Sequence, residues 1–127
     1  MTANDSLPEF RSSTSADGYL DIEVVCDEAG EAVIFVRGEL DRDTVPLLTG
    51  CLQKILETRG KDRTVVVNLA GTTFIDVGGM CSLFDVAGLA RDRGVRLYLA
   101  GCSAQLVRLL RLADLFDGLH VIPSGRM

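Results

Sequence analysis

The sequence contains no tryptophan, a single histidine (His120), and four cysteines, Cys26, Cys51, Cys81 and Cys102, with no CxxC pair among them. A tetrahedral zinc site usually draws its ligands from such close pairs, so no metal site is expected. Thiols spaced this widely are expected to act as small apolar fillers, with a redox role kept as the minor alternative. Lys and Arg nowhere form a cluster, and the formal charge is −5. Without a cationic footprint for phosphate contacts a nucleic-acid partner is not expected, and a protein or small molecule is favoured. No apolar run approaches the ~20 residues that span a bilayer, and the N-terminus lacks a basic stretch followed by an apolar one. The chain therefore reads as cytoplasmic, with no membrane association.

The common catalytic constellations are also missing. The glycines of "GTTFIDVGG" lack the GxxxxGK[ST] pattern of a nucleotide cradle, and GxGxxG does not occur. His120 precedes the short run "VIP", where it is expected as an ordinary imidazole at a strand end. Glu39 and Asp41 alternate near another strand end, the usual place for solvated carboxylates rather than an acid/base pair. Neither an enzyme nor a cofactor is expected.

What is present is a chain of 127 residues with 47% hydrophobic and 24% charged positions, the balance of one globular domain. Such a chain buries roughly two-thirds of its unfolded surface. Residues 1–17 show no apolar period and are read as a flexible N-terminal tail, leaving 18–127 as the folded domain. "YLDIEVVC" alternates Leu20, Ile22 and Val24 against Asp21 and Glu23, and "AVIFVRG" follows a Gly-containing turn, predicting an antiparallel hairpin. Asp43 or Thr44 is the candidate cap of a first helix with Pro46 in its first turn and an apolar stripe of Val45, Leu48, Leu52, Ile55 and Leu56.

"TVVVNLA" reads as a central strand, followed by a loop and a second helix over about residues 77–93. Met80, Phe84 and Ala87, flanked by Val77 and Cys81, form its expected core face; Ser82, Val86, Leu89 and Arg93 form an outer face that is not fully polar and suits docking. "VRLYLAG" gives another strand, Ser103 caps a third helix, and "LHVIP" a last short strand. The fold class is α/β, a mixed sheet in the order ββαβαβαβ with helices mainly on one face.

Two segments stand out: "GELD" at Gly38 to Asp41, and "TFIDVGGM" at Thr73 to Met80. Together with "RLYLAG" and "QLVRLLRLADLF" they resemble the STAS domain family, most closely its stand-alone bacterial anti-sigma factor antagonists, across Tyr19 to Ser124. The resemblance implies a binding module whose partner is an anti-sigma factor or related serine-kinase-like protein. It also implies a switch: a Ser or Thr after an Asp, in a pattern like "DSSGL", whose phosphorylation releases the partner. This chain matches at Asp76, Gly79 and, conservatively, Met80, but holds Val77 at the phosphoacceptor position and Gly78 beside it.

A kinase transfers phosphoryl to a hydroxyl oxygen, and valine has none. Partner contact is expected from Glu39, Asp41, Thr44, Thr73, Asp76, Val77, Gly78, Gly79, Met80, Ser82 and Val86. Asp76 has a second reading as the N-cap of the helix. Alternatives are a scaffold or sensor subunit that forms a homodimer or binds a small ligand, and phosphorylation displaced to Ser82, Thr72 or Thr73.

Overall fold

The computed structural model describes residues 10–16, 20–26, 31–59 and 63–122, with side chains described for 20–26, 31–57 and 63–122. Five strands form one sheet: β1 (Phe10–Ala16), β2 (Leu20–Cys26), β3 (Glu31–Leu40), β4 (Thr64–Ile75) and β5 (Arg96–Ala100). They lie side by side in chain order. β1, β2 and β3 pair antiparallel, whereas β3, β4 and β5 pair parallel. Parallel neighbours need a crossover, supplied by α1 (Val45–Arg59) between β3 and β4 and by α2 (Val77–Asp92) between β4 and β5. Both crossovers advance the same way across the sheet, and the right-handed rule then puts both helices on one face.

The alternation in β2 shows which face that is. Leu20, Ile22, Val24 and Cys26 are buried while the residues between them are half-buried. Ala32, Ile34 and Val36 continue the buried rows in β3, Val65, Val67 and Leu69 in β4, and Leu97 and Leu99 in β5. Against them pack Leu48, Leu52, Ile55 and Leu56 of α1, as the stripe predicts, and Met80, Leu83, Val86, Ala87 and Ala90 of α2. α3 (Ala104–Leu112) adds Leu106 and Leu110. Its cap is as expected, Ser103 Oγ accepting the Leu106 N–H at 3.0 Å.

Several expectations about the elements differ from the structure. Residues 10–16, read as tail, form β1, which extends the sheet by main-chain pairing to β2, an interaction that needs no apolar period. Residues 1–9 and 17 of that tail lie outside the described residues. The last strand shrinks to a single parallel bridge of Val121 to Leu99 after a 3₁₀ turn at Phe116–Gly118. The face of α2 is also rotated. Ser82 and Val86 are 8% and 3% exposed, because α2 is covered by α1 as well as by the sheet. Val77 and Cys81 face outward instead.

The opposite face of the sheet carries a row in register, Val25, Val33, Val66 and Tyr98, all half-buried. Beside it Arg37 bridges Asp21 and Glu23, each at 2.9 Å. None of the four cysteines forms a disulfide: Cys26 and Cys102 are buried, Cys51 is half-buried, and Cys81 is exposed. Burial pushes the Cys102 thiol up to about 11 from its ordinary 9.0.

Leu99→Ala, at a site with no exposure, is expected to lower unfolding free energy by about 2–5 kcal/mol; Leu112→Ala, 77% exposed, should stay within about 0.5 kcal/mol in the same urea titration. Because the folded pKa of Cys102 is raised, its contribution to stability is intact below pH 9.0 and is lost as pH rises toward about 11. A Cys102→Ala chain should lack that component of the alkaline loss.

Candidate functional site

The candidate residues converge where β3 and β4 end side by side. β4 is longer than the apolar run suggests. It continues through Gly71–Ile75, a stretch whose sequence reads as loop, because the Thr72 hydroxyl donates to the Val36 carbonyl at 2.8 Å and the Thr73 hydroxyl to the Gly38 carbonyl at 3.2 Å. β3 shifts register twice along this stretch, at Phe35/Arg37 and at Gly38/Glu39. Gly38 has φ 107°, a left-handed conformation that favours glycine. The shifts bring Glu39 opposite Phe74 and Leu40 opposite Ile75.

Beyond Leu40 the chain turns sharply into α1. Asp41 Oδ1 accepts the N–H groups of Asp43 at 2.9 Å and Thr44 at 3.1 Å, while its carbonyl accepts from Val45 at 2.9 Å. The Thr44 hydroxyl faces back toward the strand. It accepts the Asp41 N–H at 2.9 Å and donates to the Glu39 carbonyl at 2.8 Å, and Thr44 is only 5% exposed. Thr44 thus fastens the end of β3, and Asp43 is exposed. The capping chemistry foreseen for this turn comes from Asp41.

The β4–α2 junction is one residue long. Asp76 caps α2 as expected, its Oδ1 accepting the Gly79 N–H at 2.8 Å and its carbonyl accepting the Met80 N–H at 2.9 Å. The Asp76 N–H donates in turn to the Leu40 carbonyl at 3.3 Å. Gly79 is packed against that same carbonyl: a Cβ there would fall on the Leu40 oxygen and within 3.0 Å of Ile75 Cγ2. Gly79 therefore serves an internal close approach. Gly78 is exposed, and a Cβ there would lie 3.7 Å from the Arg42 Cα, an ordinary contact.

The two loops thus make one continuous surface. Val77, in the first turn of α2, is 67% exposed, and Phe74, on the last stretch of β4, is 51% exposed. Around them lie exposed Thr73, Gly78, Arg42 and Asp43, with Glu39, Asp41 and Asp76 half-buried. Thr44 and Gly79 shape this surface from beneath. Met80, Ser82 and Val86 are buried and do not belong to it.

Sequence reasoning missed Phe74, which strand parity marks as facing away from the buried row of Val65, Val67 and Leu69. Val77 is among the expected contacts, but its continuation along α2 through Cys81 and Asp85, all exposed at spacings of four, was missed. Apolar residues surround this helix, and periodicity alone does not select a face.

Among the described residues no group of three or more His, Cys, Asp or Glu gathers to hold a metal ion. No helix among them is long and apolar enough to cross a membrane. His120 is exposed, its ring 5.8 Å from that of Tyr98.

Asp76→Ala should cost about 1 kcal/mol of stability by loss of the cap, with Asp76→Asn retaining most of it. Gly79→Ala should cost more than either in the same denaturation series, since the Leu40 carbonyl must move to admit the methyl group.

The family model described as STAS domain matches residues 22–125. No curated protein matches the chain. Among solved structures, a sulfate transporter family protein from Wolinella succinogenes is 24% identical, with a TM-score of 0.62 over 72% of this chain and 75% of that one. RsbS of Moorella thermoacetica is 17% identical, with a TM-score of 0.67 over 82% of this chain and 87% of that one. The anti-sigma factor antagonist SpoIIAA, from Bacillus, in its unphosphorylated form is 15% identical, with a TM-score of 0.64 over 82% and 89%. At these identities the neighbours establish the fold, and they include both transporter-family and anti-sigma factor antagonist proteins. With the family model spanning most of its length, the chain belongs to the STAS domain family.

Proposed function

We propose that this STAS domain is a regulatory protein-binding module of the anti-sigma factor antagonist kind, acting in the cytoplasm on an anti-sigma factor or related kinase-like protein. The observation that carries the reading is the surface at the ends of β3 and β4, where Val77 and Phe74 stand exposed at 67% and 51% over a rigidly hydrogen-bonded base. Large apolar side chains held in solvent on a preorganised support suit a protein interface. Polar groups at the rim, Arg42, Asp43 and Thr73, supply orientation.

Val77 sits where the family resemblance calls for a phosphoacceptor. A phosphate at the start of α2 adds about −1.5 to −2 charges to such a surface. Valine has no oxygen to accept phosphoryl, so the module is held in its unmodified, partner-binding form. The displaced acceptor Ser82 fits poorly, because its hydroxyl oxygen is shut off from solvent between α1 and α2. Thr72 and Thr73 use their hydroxyls to hold β4 against β3.

Native co-purification followed by mass spectrometry should recover a kinase-fold protein, and Val77→Glu should weaken its binding about tenfold or more. With that partner and ATP, Val77→Ser should acquire phosphate at position 77 while the unaltered chain does not. Recovery of no such partner, with self-association or ligand-dependent assembly in its place, would favour the scaffold or sensor role and overturn this reading.

A further inference from the structure

A groove of about 210 Å³ lies between α1 and α2, lined by Val45, Thr49, Ser82, Asp85, Val86 and Leu89. Its chemistry is divided. Val45, Val86 and Leu89 give an apolar wall, whereas Thr49, Ser82 and Asp85 give two hydroxyls and a carboxylate. Ser82 is 92% buried by the complement of its 8% exposure, and its Oγ has no hydrogen-bond partner. A buried hydroxyl without a partner is unusual and is satisfied when a polar group reaches it. Asp85 is exposed and forms no ion pair among the described residues.

Three polar residues therefore line an apolar trough: Asp85 is charged, and Ser82 holds a hydroxyl without a partner that lies beneath the surface and needs a side-chain rotation to face the trough. An ammonium group has three donors and no acceptor, and the stem of a lysine side chain is a run of methylenes that lies well on valine and leucine. At roughly 30 Å³ per water the groove has room for about seven waters, more than a lysine side chain requires.

The groove is also continuous with the surface described above. Val77, Cys81 and Asp85 form one exposed stripe along α2, covering about 12 Å at 1.5 Å per residue. A partner seated on Val77 can reach Asp85 without leaving the helix.

We propose that the α1–α2 groove receives a lysine side chain from the protein partner. Its stem lies on Val45, Val86 and Leu89, and its ammonium pairs with Asp85 and donates to the hydroxyls of Thr49 and Ser82 after a rotation of the Ser82 side chain. The identity of the occupant as part of a protein rests on the function proposed above; the chemistry of the groove does not.

The probe is n-butylammonium, the side chain of lysine without its backbone, with n-butanol as the neutral counterpart, titrated into the full ¹⁵N-labelled chain. Saturable amide shifts at Thr49, Ser82, Asp85 and Val86 are expected with the cation and not with the alcohol. Asp85→Asn should weaken the cation about tenfold. Ser82→Ala should also weaken it while leaving the fold intact, since the hydroxyl it removes has no partner in the free protein. Equal shifts from both probes, shifts scattered away from the groove, or an undiminished response in Asp85→Asn overturns the site.

With the co-purified partner, Asp85→Lys should lower affinity as Val77→Glu does. A partner indifferent to Asp85→Lys, combined with cation binding in the groove, overturns the partner assignment alone. Cation binding with no protein partner recovered overturns the function proposed above and the lysine occupant with it, and leaves the groove chemistry standing.

Discussion

The carbonyl oxygen of Leu40 is the point on which the functional end of the molecule is built. It accepts the Asp76 N–H, and the Cα of Gly79 rests against it. One backbone atom thus joins the end of β3 to the cap of α2, and through Thr44 and Asp41 the start of α1 is tied to the same strand end. Such an arrangement leaves little freedom to the loops, although loops are ordinarily the mobile part of an α/β domain. Under the proposed function this rigidity has a use. A surface that already has its bound shape spends less of its interaction energy on ordering when a partner arrives.

Much of this was legible before any coordinates. Alternation placed β2, the β-branched run placed β4, and a three-four spacing gave the buried stripe of α1 almost residue by residue. Asp76 followed from helix-capping chemistry, and the parallel pairing of the later strands followed from crossover rules. The failures have definite causes. β1 has no apolar signature because its support is main-chain pairing at a sheet edge. The extension of β4 to Ile75 depends on threonine hydroxyls bonding to β3 carbonyls thirty-five and more residues away, an interaction that no local window contains. The orientation of α2 was misjudged because a helix buried on two sides carries apolar residues around most of its circumference.

That rotation changes the meaning of individual residues. Ser82 and Val86, read as surface contacts, are packed between helices, while Val77 moves from a flank of the core to an exposure of 67%. The glycines separate likewise. Gly79 is required by the close approach to Leu40, whereas Gly78 faces outward beside Arg42. The motif "DVGG" is thus half architecture and half surface, divided between adjacent residues.

The unequal lengths of β4 and β5 have a consequence for access. β4 runs to Ile75, but its pairing with β5 stops at Asn68 and Ala100. The final part of β4 projects past the end of its ladder with β5, hydrogen-bonded to β3 on one side and facing the start of α3 across a pocket lined by Thr73, Phe74, Ser103 and Gln105 on the other. Phe74 therefore has an indentation beside it in place of a neighbouring strand, and the exposed end of β4 is bordered by a hollow whose far wall is the first turn of α3.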